Sequence, residues 1–278
     1  MRLYDAHNHL QDDRFGGCQA ELIAACVDEG VAQMVVNGSC ETDWPHVLAL
    51  ARRYPQVIPS FGYHPWYAHE RTADWEKNLI RFLGEVPSAV GEIGLDRWKP
   101  DLAYDGQEEI FVAQLRLAAM RNLPMSIHCL LDWGRLQELL RANPRPDRGF
   151  LLHSYGGPQE MVAALAKLGA YFSFPGYFLH ERKARQRERF RRVPNDRLLI
   201  ETDAPDQLLP ETPKEELKLE NTSGVVPVYS LFAPDGKPIN HPANLAAVYG
   251  GLAAFLGEPQ ESLAARVEEN FLRLFGGL

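Results

Sequence analysis

Two histidines, His7 and His9, stand one residue apart in the opening stretch RLYDAHNHL, and Asp5 precedes the first of them by two residues. Side chains at alternate positions of a β-strand point to the same face, so these three groups would project together toward one metal ion. A half-buried strand with satisfied polar side chains explains the same pattern, because the chain contains nine histidines. A metal site is therefore predicted only if the fold brings further histidines or carboxylates to the same place.

The elements that would position these residues alternate regularly up to the stretch ETDAP. Eight short β-rich runs are separated by helix-like stretches, which is typical of repeated βα units and a parallel sheet. In the stretch QEEIFVAQLRLAAM, the apolar residues Phe111, Leu115 and Ala118 fall on one helical face. Eight units close a (β/α)8 barrel, so we predict an α/β fold of the TIM-barrel class, with an open doubly wound sheet as the alternative. The predicted strands are RLYDAHNH, AQMVVNGS, VIPSFGYHP, SAVGEIGLD, LPMSIHC, RGFLLHSY, AYFSFPG and RLLIETDAP.

Residues suited to chemistry are concentrated in the predicted strands and at their ends, where a barrel builds its active site. They are Asp5, His7 and His9 in the first run, His64 in the third, Glu92 in the fourth, His128 in the fifth, His153 in the sixth and Asp203 in the eighth. The second and seventh runs, which end in VNGS and SFPG, contribute none. Histidines that serve only the core would have no preference for strand ends, so this distribution favours one shared site.

The composition of this cluster predicts two metal ions. Four histidines (His7, His9, His128 and His153) and two carboxylates exceed the three protein ligands of a single catalytic zinc. Glu92 could bridge two divalent ions, and the mixed ligands suit zinc, manganese, magnesium or nickel. Asp203 could hold a metal and accept the proton of the attacking water, so we predict it as the general base. Glu201 shares its strand face and is interpreted as a core residue or a support for the ligands.

The bulk properties predict one domain over residues 1–278 and a cytoplasmic location. The chain has 278 residues, 45% of them hydrophobic, which suits a single barrel. Its net charge of −8 provides no overall positive field for nucleic acid. The four cysteines form no CxxC pair, which favours a reducing compartment. We find neither a secretory leader nor a long apolar run that would span a membrane.

The ordered motifs resemble those of the TatD family of metal-dependent hydrolases, in the amidohydrolase-like superfamily, along nearly the whole chain. DAHNHL, GYHPW, GEIGLD, PMSIHC, LHSYGG and ETDAP occur in the family's order, and HPANLAAV and ENFLRLF resemble its C-terminal signatures. The resemblance implies a barrel with one to three divalent metals and an activity as a nuclease or phosphoesterase. It implies the ligands His7, His9, Glu92, His128, His153 and Asp203, with Asp203 also activating water. His64 would then lie beside the metals and touch the substrate, and Asp5 would support the ligands from behind.

Three features depart from this resemblance: an arginine and a basic stretch are missing, and a longer acidic segment is present. Family members commonly carry an arginine two residues after the strand-five histidine, where this chain has Leu130. A short basic stretch that usually follows the last strand is replaced by the longer segment 206–240, which has five prolines and a net charge of −3. We predict a short helix in PKEELKL and a hairpin in VVPVYSLFAPDGKPI. A segment of this length after a barrel strand is typical of a substrate lid or a surface for a protein partner.

Other residues near the predicted mouth suggest substrate contacts. Tyr63 and Trp66 flank His64 and could stack on a base or line an apolar pocket. The basic stretch ERKARQRERFRR could bind phosphate, although such a run on an outer barrel helix is more typical of a solvated face.

These observations lead to three hypotheses. The leading one is a metal-dependent deoxyribonuclease or phosphodiesterase in which a metal-activated water attacks a phosphoester. The second uses the same site to hydrolyse a small non-nucleic substrate, such as an amide, a lactone or a small phosphoester. The third is a catalytically idle barrel that is stabilised by metals and binds a protein partner through residues 206–240.

Overall fold

The structure is a computed structural model that describes residues 1–99, 102, 104–210 and 228–278. Eight parallel strands form one sheet in which each strand pairs with the next along the chain. This order is the one that the alternating sequence predicts for a barrel, and the eight predicted strands are confirmed. The strands are β1 Leu3–Asn8, β2 Val31–Asn37, β3 Val57–Phe61, β4 Ala89–Asp96, β5 Met125–Leu130, β6 Phe150–Leu152, β7 Ala170–Pro175 and β8 Leu198–Glu201.

The barrel closes between β1 and β8, mainly at the end that carries the predicted site. The backbone N–H of Asp203 donates to the carbonyl of His7 at 3.0 Å, and that of His9 donates to the carbonyl of Ala204 at 2.8 Å. Two residues earlier on β1, the Asp5 carboxylate accepts from the N–H of Thr202 at 3.0 Å and from its hydroxyl at 2.6 Å. The first and last strands are therefore joined by the same residues that carry the candidate ligands.

Helices surround the barrel and turn their apolar faces onto it. On the fourth helix, Phe111, Leu115 and Ala118 are fully buried, as their spacing predicts. The strands beneath are buried on both faces, which explains why several read as nearly continuous apolar runs. The helices are α1 Gln19–Asp28, α2 Trp44–Arg53, α3 Trp75–Phe82, α4 Gln107–Arg121, α5 Trp133–Ala142, α6 Val162–Lys167, α7 Ala184–Arg189, α8 Leu245–Leu256 and α9 Gln260–Phe275.

The segment between β8 and α8 is described only in part. The predicted PKEELKL helix and the start of the predicted hairpin lie outside the described residues. The rest of that hairpin is confirmed, because β9 (Ser230–Phe232) pairs antiparallel with β10 (Pro238–Asn240). Tyr229 fixes its base by donating to Glu29 at 2.6 Å. The lid-like role of residues 206–240 stays a prediction.

Within the described part of the chain, no helix combines the length and the apolar character that crossing a membrane would require. The four cysteines are free thiols, and three of them are buried in the core.

Candidate metal centre

The six predicted ligands lie together at the mouth of the barrel. They come from five strands or from the residues that directly follow them: His7 and His9 from β1, Glu92 from β4, His128 from β5, His153 after β6 and Asp203 after β8. Residues from far apart in the sequence thus converge because parallel strands bring their carboxyl ends to one edge.

Glu92 occupies the centre of this cluster, and its two carboxylate oxygens face different histidines. Oε2 lies 3.2 Å from Nε2 of His9 and 3.4 Å from Nε2 of His7. Oε1 lies 2.8 Å from Nε2 of His153 and 3.1 Å from Nδ1 of His128. The carboxylate therefore stands between two groups of ring nitrogens, as a bridging ligand would.

Asp203 completes the first of these groups. Its Oδ1 lies 3.6 Å from Nε2 of His7 and 3.7 Å from Nε2 of His9. Its backbone has a φ of 52°, in the left-handed region that few residues other than glycine adopt. Aspartate is among the non-glycine residues that adopt this conformation most readily.

Two of the histidines have their ring protons fixed by acceptors outside the cluster. His9 lies with Nδ1 2.8 Å from the carbonyl oxygen of Asn37, so Nδ1 carries the proton. His128 lies with Nε2 2.9 Å from Oδ2 of Asp96, so Nε2 carries it. In the neutral form of each ring, the other nitrogen then presents a lone pair to the cluster.

The remaining two histidines differ in the support of their Nδ1 atoms, since only that of His7 is hydrogen-bonded. Nδ1 of His7 lies 2.7 Å from the hydroxyl of Ser126, and Nδ1 of His153 lies 3.7 Å from Oε1 of Glu201. The two rings stack on each other with their centroids 4.1 Å apart. Both rings therefore direct Nε2 into the cluster, where Glu92 lies.

The donor set fits divalent metal ions. Nε2 of His7 lies 3.3 Å from Nε2 of His9, and Nδ1 of His128 lies 3.1 Å from Nε2 of His153. Pairs of ring nitrogens at these distances need a proton or a cation between them, because two facing lone pairs repel each other. Imidazole nitrogens mixed with carboxylate oxygens suit zinc, manganese and similar ions. The residues of this site therefore fit the two-metal prediction in their chemistry.

The ionisation of the cluster reflects burial opposed by close countercharges. Burial alone would raise the pKa of Glu92, but the surrounding histidines hold it well below its usual value. Burial lowers the pKa of His9, but Glu92 and Asp203 more than offset this effect and raise it to about 9. Burial raises the pKa of Asp203 to about 7, against the attraction of His153 and His9. Positive charge on nearby histidines therefore balances the Glu92 carboxylate, as a bound cation would.

His64 lies next to these groups but differs from the ligands in its hydrogen bonds. Its Nδ1 accepts the backbone N–H of Trp66 at 3.1 Å, which caps a short 3₁₀ helix that begins at Pro65. In the neutral ring, the proton is therefore on Nε2, which lies 3.4 Å from Oε1 of Glu92. Burial lowers the pKa of His64 to about 4, so the ring is neutral near pH 7. His64 thus presents a hydrogen-bond donor to the cluster rather than a lone pair.

The second oxygen of Asp203 is held from outside the cluster. Gln207 donates from Nε2 to Oδ2 of Asp203 at 2.6 Å and also to the hydroxyl of Ser154. Ser154 donates in turn to Oε1 of Glu201 at 2.5 Å. Gln207 and Ser154 both have positive φ values, 52° and 45°, so this chain of hydrogen bonds rests on strained backbone.

The two carboxylates predicted to support the ligands lie behind the cluster. Asp5 is buried and accepts from the N–H of His7 and the side chain of Asn8, in addition to Thr202. Glu201 is fully buried and accepts from Ser154 and Ser173. Asp5 joins the first strand to the residues that follow the last strand, and so fixes the strand that carries His7.

The two aromatic residues predicted to touch the substrate differ in their surroundings. Tyr63 is buried, and its hydroxyl donates to Glu41 at 2.7 Å, away from the metal cluster. This burial argues against the predicted substrate contact of Tyr63, because the ring is committed to the barrel wall. Trp66 is partly exposed, lies with its ring 5.1 Å from that of His64, and donates from Nε1 to Asp96 at 2.6 Å.

Sequence reasoning missed the side chains that orient the ligands, namely Asn37, Asp96, Ser126 and Gln207. A weak signal was present for two of them, because Asn37 and Ser126 are buried polar residues in strands that are mostly apolar. A polar side chain in such a strand must find a hydrogen-bond partner, which points to a site above it. Asp96 ends the predicted fourth strand and could have been included on that ground. Gln207 gave no signal.

Comparison with known proteins places the chain in a family. The sequence profile described as TatD related DNase matches residues 4–276. The 3'-5' ssDNA/RNA exonuclease TatD of Escherichia coli strain K12 is 30% identical over 280 residues, 99% of each chain. The uncharacterized metal-dependent hydrolase YjjV of the same strain is 26% identical over 277 residues, 99% of this chain and 98% of that protein.

Solved structures agree with this result. The crystal structure of YjjV superimposes on this chain with a TM-score of 0.85 at 26% identity, over 100% of this chain and 99% of the other. A TatD family hydrolase from Entamoeba histolytica has the same fold, with a TM-score of 0.81 at 17% identity over 99% of this chain and 98% of the other. The predicted TIM barrel and the TatD resemblance are confirmed. The chain belongs to the family of TatD-related DNases.

Proposed function

We propose that this protein is a 3′–5′ exonuclease that hydrolyses single-stranded DNA or RNA and binds two divalent metal ions at the centre described above. The observation that carries this proposal is the position of Glu92, whose two oxygens face two separate groups of ring nitrogens. Its relative in E. coli is named for this activity and aligns over the full chain. Phosphodiester hydrolysis suits such a site, since two cations can stabilise the entering and leaving oxygens.

Each group of ligands would hold one ion. By their distances to Glu92 and Asp203, His7, His9 and Asp203 would form one group and His128 and His153 the other, with Glu92 shared between them. When bound, the ions supply Lewis-acid chemistry by lowering the pKa of water and neutralising phosphate charge. Zinc, manganese, magnesium and nickel are the candidate ions, and elemental analysis of the purified protein distinguishes them.

Two side chains would act on the reacting groups. Asp203 would accept the proton of the attacking water on Oδ1, which faces His7 and His9, because Oδ2 is already held by Gln207. His64 would donate its Nε2–H to a phosphate oxygen, since its pKa is lowered and it is neutral. Neither group needs to move, because each is anchored through its other polar atom.

The second candidate is hydrolysis of a small non-nucleic substrate at the same site. Leu130 stands where relatives are expected to have a phosphate-binding arginine, and the segment 206–240 carries a net charge of −3. An acidic segment beside the mouth would repel a long polyanion more strongly than a small neutral ester.

The test compares a 5′-labelled single-stranded oligonucleotide with a panel of small esters, lactones and amides, each with Mg²⁺, Mn²⁺ or Zn²⁺. The proposal expects a ladder of products shortened from the 3′ end, and a 3′-blocked oligonucleotide as control should be resistant. Turnover of the panel without degradation of the oligonucleotide would refute the exonuclease and favour the second candidate.

We further propose a cytoplasmic location, which the unpaired cysteines support. Residues 206–240 are proposed as a lid over the mouth or as a surface for a protein partner. The described end of this segment supports either role, because Asn240 donates to the carbonyl of Thr202, directly beside Asp203.

A further inference from the structure

Large exposed apolar side chains in the described residues include some on the outer helices, some in the segment after β8 and two in loops at the mouth. Some, such as Met120, which is 75% exposed, lie on the outer helices. Two others lie just beyond the ends of adjacent strands at the mouth: Trp98 after β4 is 59% exposed, and Leu131 after β5 is 69% exposed. Trp98 is also the most exposed of the five tryptophans. Tryptophan is enriched among the residues that carry binding energy, so an exposed tryptophan beside the metal centre is a candidate ligand contact.

The loop that carries Trp98 is tied directly to a candidate metal ligand. The carboxylate of Asp96 accepts from Nε2 of His128 at 2.9 Å, from Nε1 of Trp66 at 2.6 Å and from the backbone N–H of Trp98 at 2.6 Å. One carboxylate therefore orients a candidate ligand and fixes the start of the exposed loop. Trp98 is held at a set position relative to the metal centre.

The neighbouring loop is held in place as well. The backbone N–H of Arg97 donates to the carbonyl of Leu130 at 2.9 Å, which joins the ends of β4 and β5 beyond the sheet. Leu131 then adopts a φ of 60°, a left-handed conformation that is unfavourable for leucine. An apolar residue held exposed in strained backbone at the mouth suggests a functional constraint, because neither core packing nor turn geometry requires leucine there.

Two cations accompany these apolar groups, although the chain as a whole is acidic. The guanidinium of Arg97 lies 3.7 Å above the ring of Tyr104, and its Nε donates to Asp132 at 3.1 Å. The ammonium of Lys99 lies 3.2 Å above the ring of Trp66. Aromatic surface interleaved with positive charge is the combination that binds single-stranded nucleic acid.

We propose that Trp98 and Leu131 form a stacking subsite for one nucleobase of the single strand whose 3′ end enters the metal centre. Arg97 and Lys99 contact the phosphates on either side of that base. This inference rests on the proposed exonuclease function. The subsite would select an unpaired base, since only an unstacked base exposes both faces to protein. The ammonium of Lys99 also adds positive charge close to Leu130, because it lies over the ring of Trp66 beside the same strand ends.

The test measures binding of a fluorescent single-stranded oligonucleotide with a hydrolysis-resistant phosphorothioate 3′ linkage to the metal-loaded protein. A matched series carries one abasic unit at the last, second-last or third-last position. For the wild type, we expect one abasic position to weaken binding about 5- to 150-fold, the range that alanine substitution gives for base stacking. Trp98→Ala should weaken binding of the intact oligonucleotide by a similar factor and remove the sensitivity to the abasic unit.

Three further variants sharpen the result. Trp98→Phe should retain most of the affinity, because a smaller ring still stacks, and Leu131→Ala should lose less than Trp98→Ala. Met120→Ala, at a still more exposed apolar residue on α4, should bind as the wild type does. Metal content and melting temperature, measured for each variant, establish that the centre is intact.

The outcomes separate this inference from the proposed function. If the wild type degrades DNA while Trp98→Ala binds as tightly and senses the abasic unit as strongly, the subsite is wrong and the exonuclease stands. If the wild type neither binds nor degrades single strands, the proposed function is wrong and the subsite is overturned with it.

Discussion

Two histidines of this protein have almost the same local structure and quite different surroundings. His64 and His241 each precede a proline, and each caps a short 3₁₀ helix through Nδ1, which accepts the N–H two residues further on, at 3.1 Å and 3.0 Å. Both rings are buried, and burial lowers the pKa of each to about 4. The local sequence, YHPW in one case and NHPA in the other, therefore specifies a cap and not a function.

The difference lies in what the other ring nitrogen meets. Nε2 of His64 lies 3.4 Å from a carboxylate oxygen of Glu92, inside the metal centre. The ring of His241 instead stacks on Tyr229 with centroids 4.8 Å apart, at the base of the hairpin. At this site, a functional side chain has one polar atom anchored by the chain and the other directed at the cluster. His9 and His128 follow the same rule.

The largest effect is expected from Glu92→Gln, which removes the charge that distinguishes the surroundings of His64 from those of His241. An amide keeps the volume but cannot offer two anionic oxygens to two groups of histidines. We expect metal content to fall by at least half and kcat/KM to fall on the order of 10³-fold. Elemental analysis and a nuclease assay measure the two quantities.

The control for this variant is His241→Asn, which leaves the metal centre untouched and should keep the metal content of the wild type. If Glu92→Gln binds as much metal as the wild type, Glu92 does not bridge two ions, and the two-metal proposal is wrong.

The next prediction concerns the comparison of His64 with His241. The same substitution is made at both capping histidines. Asparagine is a good capping residue, so His64→Asn and His241→Asn should each retain the short helix. For His64→Asn, we expect kcat/KM to fall about 10²-fold, because the Nε2–H is lost. For His241→Asn, kcat/KM should be unchanged, while the free energy of unfolding falls by about 1 kcal/mol with the loss of the Tyr229 stack.

Parallel kinetics and thermal unfolding of the two variants give the answer. Equal losses of activity would mean that His64 serves only as a cap, and the donor role assigned to its Nε2 would then be abandoned.

Much of the fold could be predicted from the sequence, because barrel strands and helices leave strong local patterns. All eight strands and the buried face of α4 were correctly placed, since burial on both faces forces a strand to be apolar. The candidate ligands were found because chemistry at a barrel mouth must sit at strand ends. The family resemblance gave the same residues.

The contacts that orient the ligands could not be predicted in the same way. Gln207 reaches Asp203 because the backbone after β8 has positive φ values at both residues. Neither residue type requires this conformation, so the sequence does not predict the turn. Tyr63 was predicted at the mouth because it is next to His64 in sequence, but adjacent side chains of an extended segment point to opposite sides. The side chain of Tyr63 therefore reaches Glu41 instead.

A third prediction concerns pH and applies to the cap outside the metal centre. Burial lowers the pKa of His241 from 6.5 to about 4, so between these values the unfolded chain binds a proton that the folded chain does not. The folded state is therefore favoured most above pH 6.5, and this contribution, up to about 3 kcal/mol, is lost as the pH falls toward 4.

Chemical denaturation at neutral pH and at about pH 5 measures this loss, because most of the change in proton binding on unfolding occurs between these two pH values. The free energy of unfolding of His241→Asn should fall less than that of the wild type between these pH values. The metal centre is the same in both proteins, so its own pH dependence cancels in the comparison. Parallel pH profiles for the two proteins would show that His241 titrates alike in the folded and unfolded chains.

The smallest effect is expected at a carboxylate, Asp203, where one oxygen is anchored and the other faces the cluster. We call this arrangement, which His9, His64 and His128 share, the anchoring rule. Gln207→Met keeps the length of the side chain but removes the N–H that holds Oδ2 of Asp203 at 2.6 Å. Loss of one such hydrogen bond should lower kcat by about tenfold, because Asp203 then samples other orientations. KM and metal content should stay nearly unchanged, since no substrate contact or ligand is removed. Gln186→Met on α7 is the matched control and should behave as the wild type. A rise in KM at unchanged kcat would instead place Gln207 in contact with the substrate, and the anchoring rule would then fail at Asp203.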